Sequence, residues 1–169
     1  MIDMPNVLQD VAILIDYDAL PPAIAETGGG ALDVNRLGQH LRRCYGPNRR
    51  IRRIHIVVGT IPLPAKVSDD LLAINADIHV ANSGRPDCLV FLHSHRMAEI
   101  HDAVALLVSD ANYLPLLRHV KGLGARAELH VLPTADEALF GAADVRFAIN
   151  PADIVEREVD LVGSKARVA

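Results

Sequence analysis

Two apolar runs in this chain end on an aspartate: Val11-Ala12-Ile13-Leu14-Ile15-Asp16 and Val104-Ala105-Leu106-Leu107-Val108-Ser109-Asp110. A second polar group follows each two residues later, Asp18 and Asn112. A short, fully apolar run reads as a central strand of a parallel sheet. In open α/β sheets, ligands sit at the carboxyl ends of such strands. Carboxylates meeting there from two strand ends would form an oxygen cluster of the kind that binds hard divalent cations such as Mg²⁺. The chemistry this suggests is metal-assisted and acts on phosphates. An ionised Asp16 directly after an apolar run is costly unless paired, capped or metal-bound. The competing reading is that Asp16 and Asp110 only turn the backbone and cap the next helix. Asp18 reads either as a further acid of the cluster or as an exposed loop residue.

Asp87 follows Gly84-Arg85-Pro86 and precedes an apolar stretch. It suits a helix N-cap, and a helix N-terminus can also hold a carboxylate at the rim of a site. His93 and His95 diverge by about 200° if their segment is helical, so a joint metal site is not expected of them. They read as surface or half-buried residues, although His93 alone could face the cluster. Asn112 either contacts metal, directly or through water, or caps the next helix. Six arginines, Arg42, Arg43, Arg49, Arg50, Arg52 and Arg53, lie in and around a Gly-Pro-Asn loop. Their planar forks suit phosphate, which makes them candidate nucleic-acid contacts. The alternative is a solvated charge run. Gly28-Gly29-Gly30 lacks the Lys-Ser/Thr of a phosphate-binding loop and reads as a flexible connection. Cys44 and Cys88 have no zinc spacing and read as reduced thiols.

These side chains need elements to position them. The pattern predicts strands at Val11–Ile15, Ile54–Val58, Val104–Val108 and Ala127–Leu132, with short candidates at Ile78–Val80 and at Phe147 and Ile149. Helices are predicted from Asp33 to about Cys44, from Ser68 to near Asn75, from Asp87 to Ile100, from Pro115 to Gly122 or Gly124, and from Asp136 to Ala142. One helical turn is allowed between Leu20 and Gly30. Alternating strands and helices imply a three-layer α/β/α sandwich with a central parallel sheet of about four to five strands and right-handed crossovers. The chain's 169 residues suit one domain over residues 1–150, followed by a charged tail at 151–169, helical and then frayed. Its net charge of −4 excludes a polycation, so nucleic-acid binding must come from a local patch. No signal peptide is visible and no apolar run approaches the ~20 residues of a membrane span, so a soluble cytoplasmic protein is expected.

Four blocks resemble the NYN domains of the PIN-like nuclease superfamily over roughly residues 9 to 150: VAILIDYDAL (11–20), GRPDCLVFLHSHRMA (84–98), VALLVSDANYLPLL (104–117) and LFGAADVRFAI (139–149). The resemblance implies a PIN-like, Rossmann-like fold and an Mg²⁺- or Mn²⁺-dependent nuclease acting mostly on RNA. Asp16, Asp87 and Asp110 match the family's metal-site aspartates. Asn112 stands where a further Asp is common, His93 where a second helix Asp is frequent, and Ala19 where members often have Asn. Fewer carboxylates should weaken Mg²⁺ binding, and a histidine favours a softer ion such as Mn²⁺.

The leading expectation is therefore a metal-dependent ribonuclease. Asp16, Asp87 and Asp110 hold the ion, Asp18, Asn112 and His93 support it, and the arginine segment steers the RNA, single-stranded or structured. A homodimer is compatible with this reading and a membrane partner is not expected. With only three Phe, three Tyr and no Trp, base stacking should contribute little. One alternative is a non-catalytic nucleic-acid- or protein-binding module on the same fold. Another is a haloacid-dehalogenase-like phosphatase, suggested by Asp16-Tyr17-Asp18, but it needs a supporting lysine and neither Lys66 nor Lys121 has a convincing context.

Overall fold

The computed structural model describes residues 8–82 and 84–157. Its centre is β1 (Gln9–Asp16), paired in parallel with β2 (Arg49–Val58) on one side and β4 (Ala103–Leu107) on the other. A strand with neighbours at both edges and helices on both faces meets no water. That is why β1 is buried from Val11 to Asp16 and encoded by an unbroken apolar run. Each of its buried Val, Ile and Leu side chains contributes about 1.5–3 kcal/mol by leaving water. The two short candidates are both real and form the edges. β3 (Asp77–Val80) lies beside β2, and β6 (Val145–Ala148) lies beside β5 (Arg126–Val131). The sheet therefore has six parallel strands, more than the four to five expected, in the order β3-β2-β1-β4-β5-β6.

Helices α1 (Leu20–Ala25), α2 (Val34–Arg43) and α3 (Ala65–Ala73) pack on one face of the sheet. On the other face lie α4 (Pro86–Ala98), α5 (Leu114–Gly122) and a 3₁₀ segment at Glu137–Ala142. The layers are those of a three-layer sandwich. Asp33 caps α2 as expected, its Oδ1 accepting from the Arg36 N–H at 3.0 Å. Ser68 does not cap α3. The helix starts three residues earlier behind Pro64, whose carbonyl accepts from the Ser68 N–H at 2.9 Å. Asp136 does cap the next segment, but that segment is 3₁₀ and not α-helical.

The strand β2 begins at Arg49, five residues before the expected Ile54. Its first half lies at the exposed amino-terminal edge of the sheet, where charged residues need no burial, so no apolar run marks it. A register shift between Val11 and Ala12 pairs Val11 with Ile51 and Ala12 with Arg53, leaving Arg52 as an extra residue. The expected tail at residue 151 starts as packed structure. Pro151–Asp153 form one 3₁₀ turn, Ile154 is fully buried, and Val155 bridges Leu32. The remainder of that tail, 158–169, lies outside the described residues. Among the described residues, no helix is long and apolar enough to cross a membrane.

Candidate functional site

The chain leaves β1 toward β2 on one side, while β4 lies on the other. The loops at their carboxyl ends diverge and open a crevice, which is where α/β sheets bind ligands. That crevice has a volume of about 440 Å³, and Asp16, Asp18, Arg85, Asp87, Asp110 and Asn112 line it. Three stretches far apart in sequence thus bring together the acids singled out above.

Asp16 both caps the turn after β1 and lines the crevice. Its Oδ1 accepts from the Asp18 N–H at 3.1 Å, and its Oδ2 accepts from the Tyr113 hydroxyl at 2.6 Å. Tyr113 belongs to the turn after β4, so this bond ties the two strand ends together. Burial pushes the Asp16 carboxyl up, and the charges of Asp18 and Asp110 add to the rise. The donors Tyr113 and Asp18 N–H only partly offset it. Burial and the nearby acids raise the Tyr113 phenol too, so it stays protonated and donates. Asp110 repeats the cap at the end of β4, its Oδ1 accepting from the Asn112 N–H at 2.8 Å, and it is exposed.

Asp18 is committed to holding a loop. Its Oδ2 accepts from the Thr60 N–H at 2.7 Å and the Thr60 hydroxyl at 2.9 Å, while Oδ1 accepts from the Ile61 N–H at 3.0 Å. Burial raises Asp18, but these donors outweigh it and hold the carboxyl below its ordinary value. The close approach depends on Gly59. A Cβ there would stand 2.6 Å from Asp18 Oδ2 and 2.7 Å from Pro86 Cγ. Gly59→Ala is expected to push the loop away from α4 and cost about 1–3 kcal/mol, read as a lower melting temperature. An unchanged melting temperature would show that the loop yields freely.

Asp87 sits in the first turn of α4, and Arg85 occupies the cap position expected of it. Arg85 chelates Asp87, Nε to Oδ1 at 3.0 Å and Nη2 to Oδ2 at 2.9 Å. That bidentate pair holds the Asp87 carboxyl below its ordinary value. Arg85 and Tyr113 are the crevice residues that sequence reasoning missed. The available signals were a guanidinium two residues before Asp87 and a hydroxyl three residues after Asp110.

His93 does not face the acids. It lies under α4 against β2 and β3, with its ring centroid 3.9 Å from that of His79 and 5.5 Å from that of His55. The role expected of it at the acidic site fails because the helix directs it toward the other histidines. Burial depresses His55 to about 4, with Asp77 offsetting part of the effect. The unfolded chain, with histidine near 6.5, therefore binds the extra proton first. Stability from His55 is fully present above about 6.5 and is lost as pH falls toward about 4. The melting temperature should drop over that window, and His55→Asn should flatten the drop; parallel curves would exclude His55 as the cause.

The six arginines lie at the opposite end of the sheet and none lines the crevice. Arg42 and Arg43 end α2. Arg49 pairs with Glu128, Arg50 and Arg52 with Asp10, and Arg53 with Asp77. Parallel pairing explains this placement, because it puts the start of β2 a full strand length from the carboxyl ends. A separate, mostly apolar cavity of about 360 Å³ lies between α1 and α3, where Lys66 pairs with Glu156.

No family model and no curated protein matches this chain. Its fold is similar to the crystal structure of a protein of unknown function from Vibrio parahaemolyticus RIMD 2210633. The two share 15% sequence identity at a TM-score of 0.74, over 90% of this chain and 99% of the other. That likeness establishes the fold alone. The class defined here is a doubly wound, all-parallel α/β domain with an acidic crevice at its topological switch point. The oxygen donors of Asp16 and Asp110 suit a hard divalent cation, whose charge would offset the burial, and the smaller repulsion from Asp18 and Asp110, that raise Asp16.

Proposed function

We infer that this chain is a cytoplasmic, divalent-metal-dependent ribonuclease that hydrolyses RNA phosphodiester bonds in the crevice between β1 and β4. The observation that carries this reading is that Asp16, Asp87 and Asp110 line one crevice, with Asp16 buried. Asp16 and Asp110 would hold Mg²⁺ or Mn²⁺, and Asp87 would join them when Arg85 turns to a substrate phosphate. When bound, the ion would supply an activated water and stabilise the negative charge on the phosphoryl oxygens. Tyr113 fixes the direction of the Asp16 carboxylate, Asp18 holds the Thr60 loop, and Asn112 offers an amide oxygen beside Asp110. Arg85 replaces the distant arginine segment as the phosphate-binding fork, because it alone among the described lysines and arginines lines this crevice. Phe91 lines an adjoining hollow with Pro115 and Leu116, an apolar surface on which one base of the strand would rest.

The test is a cleavage time course on labelled RNA in Mg²⁺, Mn²⁺ and EDTA. Cleavage with either ion and none in EDTA is the expected outcome. One observation favours a second reading, a non-catalytic nucleic-acid-binding module: the Arg85–Asp87 chelate already neutralises one of the three acids. RNA binding that survives EDTA, with no cleavage in Mn²⁺, would select it. Among the described residues neither lysine lines the crevice for the phosphatase reading, since Lys66 pairs with Glu156 and Lys121 with Asp144. Turnover of p-nitrophenyl phosphate would restore it.

A further inference from the structure

A second constellation stands apart from the acidic crevice, where α2 packs on β5. His40 and Cys44 are one helical turn apart and face the sheet, with His40 Nε2 3.7 Å from Cys44 Sγ. The third member, His130, comes from β5 and is fully buried. One ligand atom from each of the three lies within 4.8 Å of the others. A thiolate and an imidazole on one tetrahedral zinc, with Zn–S near 2.3 Å and Zn–N near 2.05 Å, stand about 3.6 Å apart. The observed spacing matches that value.

The surroundings of His130 point the same way. The Tyr45 hydroxyl and His130 Nε2 are 2.9 Å apart, and Phe147 stacks on the ring. Among the described residues, the other ring nitrogen, Nδ1, has no hydrogen-bond partner. A metal-binding histidine has just this arrangement, one nitrogen fixed by an outer partner and the other left for the ion. Burial holds His40 and His130 below the ordinary histidine value, which keeps both neutral and able to ligate. At rest Cys44 Sγ donates to the His40 carbonyl at 3.3 Å, and burial raises the thiol, so a bound cation must displace its proton.

The other histidine cluster, His55, His79 and His93, is a poorer site. Its rings are stacked, and ring lone pairs lie in the ring planes, so they run past one another. Its 3.0 Å contact between His55 Nδ1 and His79 Nε2 is an ordinary hydrogen-bond distance, shorter than the ~3.3 Å between two nitrogens on one zinc.

We propose that His40, Cys44 and His130 bind a borderline-soft divalent cation of the zinc class, which pins the end of α2 to β5. Water supplies the fourth position on the half-exposed side, where His40 and Cys44 reach the surface.

The experiment is an anaerobic Co²⁺ titration of the full chain carrying Cys88→Ser, which removes the exposed thiol on α4. One equivalent should give visible d–d bands and a near-ultraviolet thiolate-to-cobalt band, with release of a proton; Zn²⁺ should bleach both bands. Cys44→Ser should abolish the thiolate band. His40→Gln, at a half-exposed helix position, should weaken binding by more than tenfold, and Tyr45→Phe by about 10–100-fold. A chain that gives no thiolate band in excess Co²⁺, or a band that survives Cys44→Ser, would overturn the proposal. The acidic crevice holds no thiol, so this readout is independent of the ribonuclease reading.

Discussion

Asp16→Asn is expected to abolish metal-dependent RNA cleavage without weakening the fold. The amide keeps the shape of the side chain, its oxygen accepting from the Asp18 N–H and its NH2 donating to the Tyr113 hydroxyl oxygen, but it removes the charge that would hold the cation. Loss of a metal-assisted step worth about 4 kcal/mol corresponds to a rate at least about 10³-fold lower. Stability should move the other way. Burial and the neighbouring Asp18 and Asp110 already disfavour the ionised Asp16, so neutralising it relieves a strain on the folded state. The melting temperature of the variant should therefore equal or exceed that of the parent. Cleavage at the parental rate would remove Asp16 from the mechanism. Lost cleavage with a much lower melting temperature would mean that the carboxylate serves folding.

The second large effect is expected at Arg49, far from the crevice. Arg49 pairs with Glu128, whose side chain is fully buried on β5. Arg49→Met leaves that carboxylate buried without its main partner, which costs about 3–5 kcal/mol. Arg126 Nε still stands 3.5 Å from Glu128 Oε1, which favours the lower end of that range. At roughly 2–4 °C per kcal/mol, the melting temperature should fall by about 6–12 °C. Adding Glu128→Leu should restore most of the loss, because an apolar pair needs no charge compensation. RNA affinity of the folded variant should be unchanged. A variant that melts normally but loses salt-sensitive RNA binding would return Arg49 to the nucleic-acid interface.

The parts of this molecule that were legible share a cause. β1 and β4 are buried on both faces, so every residue in their cores is apolar, and the aspartates that end them stand out. Asp33 was legible as a cap because capping is local. The beginning of β2 was hidden because Arg49 to Arg53 sit where the sheet meets water. Ser68 misled because a proline four residues earlier starts the helix equally well. His93 was misplaced because its helix was identified without the neighbours it would meet. The six arginines look like one patch along the chain. In space, four of them are tied to Glu128, Asp10 and Asp77.

The sequence by itself determined the alternation of strands and helices, the parallel sheet, and the acids at the ends of two central strands. Apolar period and capping chemistry are short-range properties, written within a few residues. Only the tertiary structure decided that β4 lies beside β1, that Tyr113 reaches Asp16, that Arg85 holds Asp87, and that His130 meets His40 and Cys44. Those meetings depend on which faces the crossover helices cover, and that is settled by the packing of whole layers.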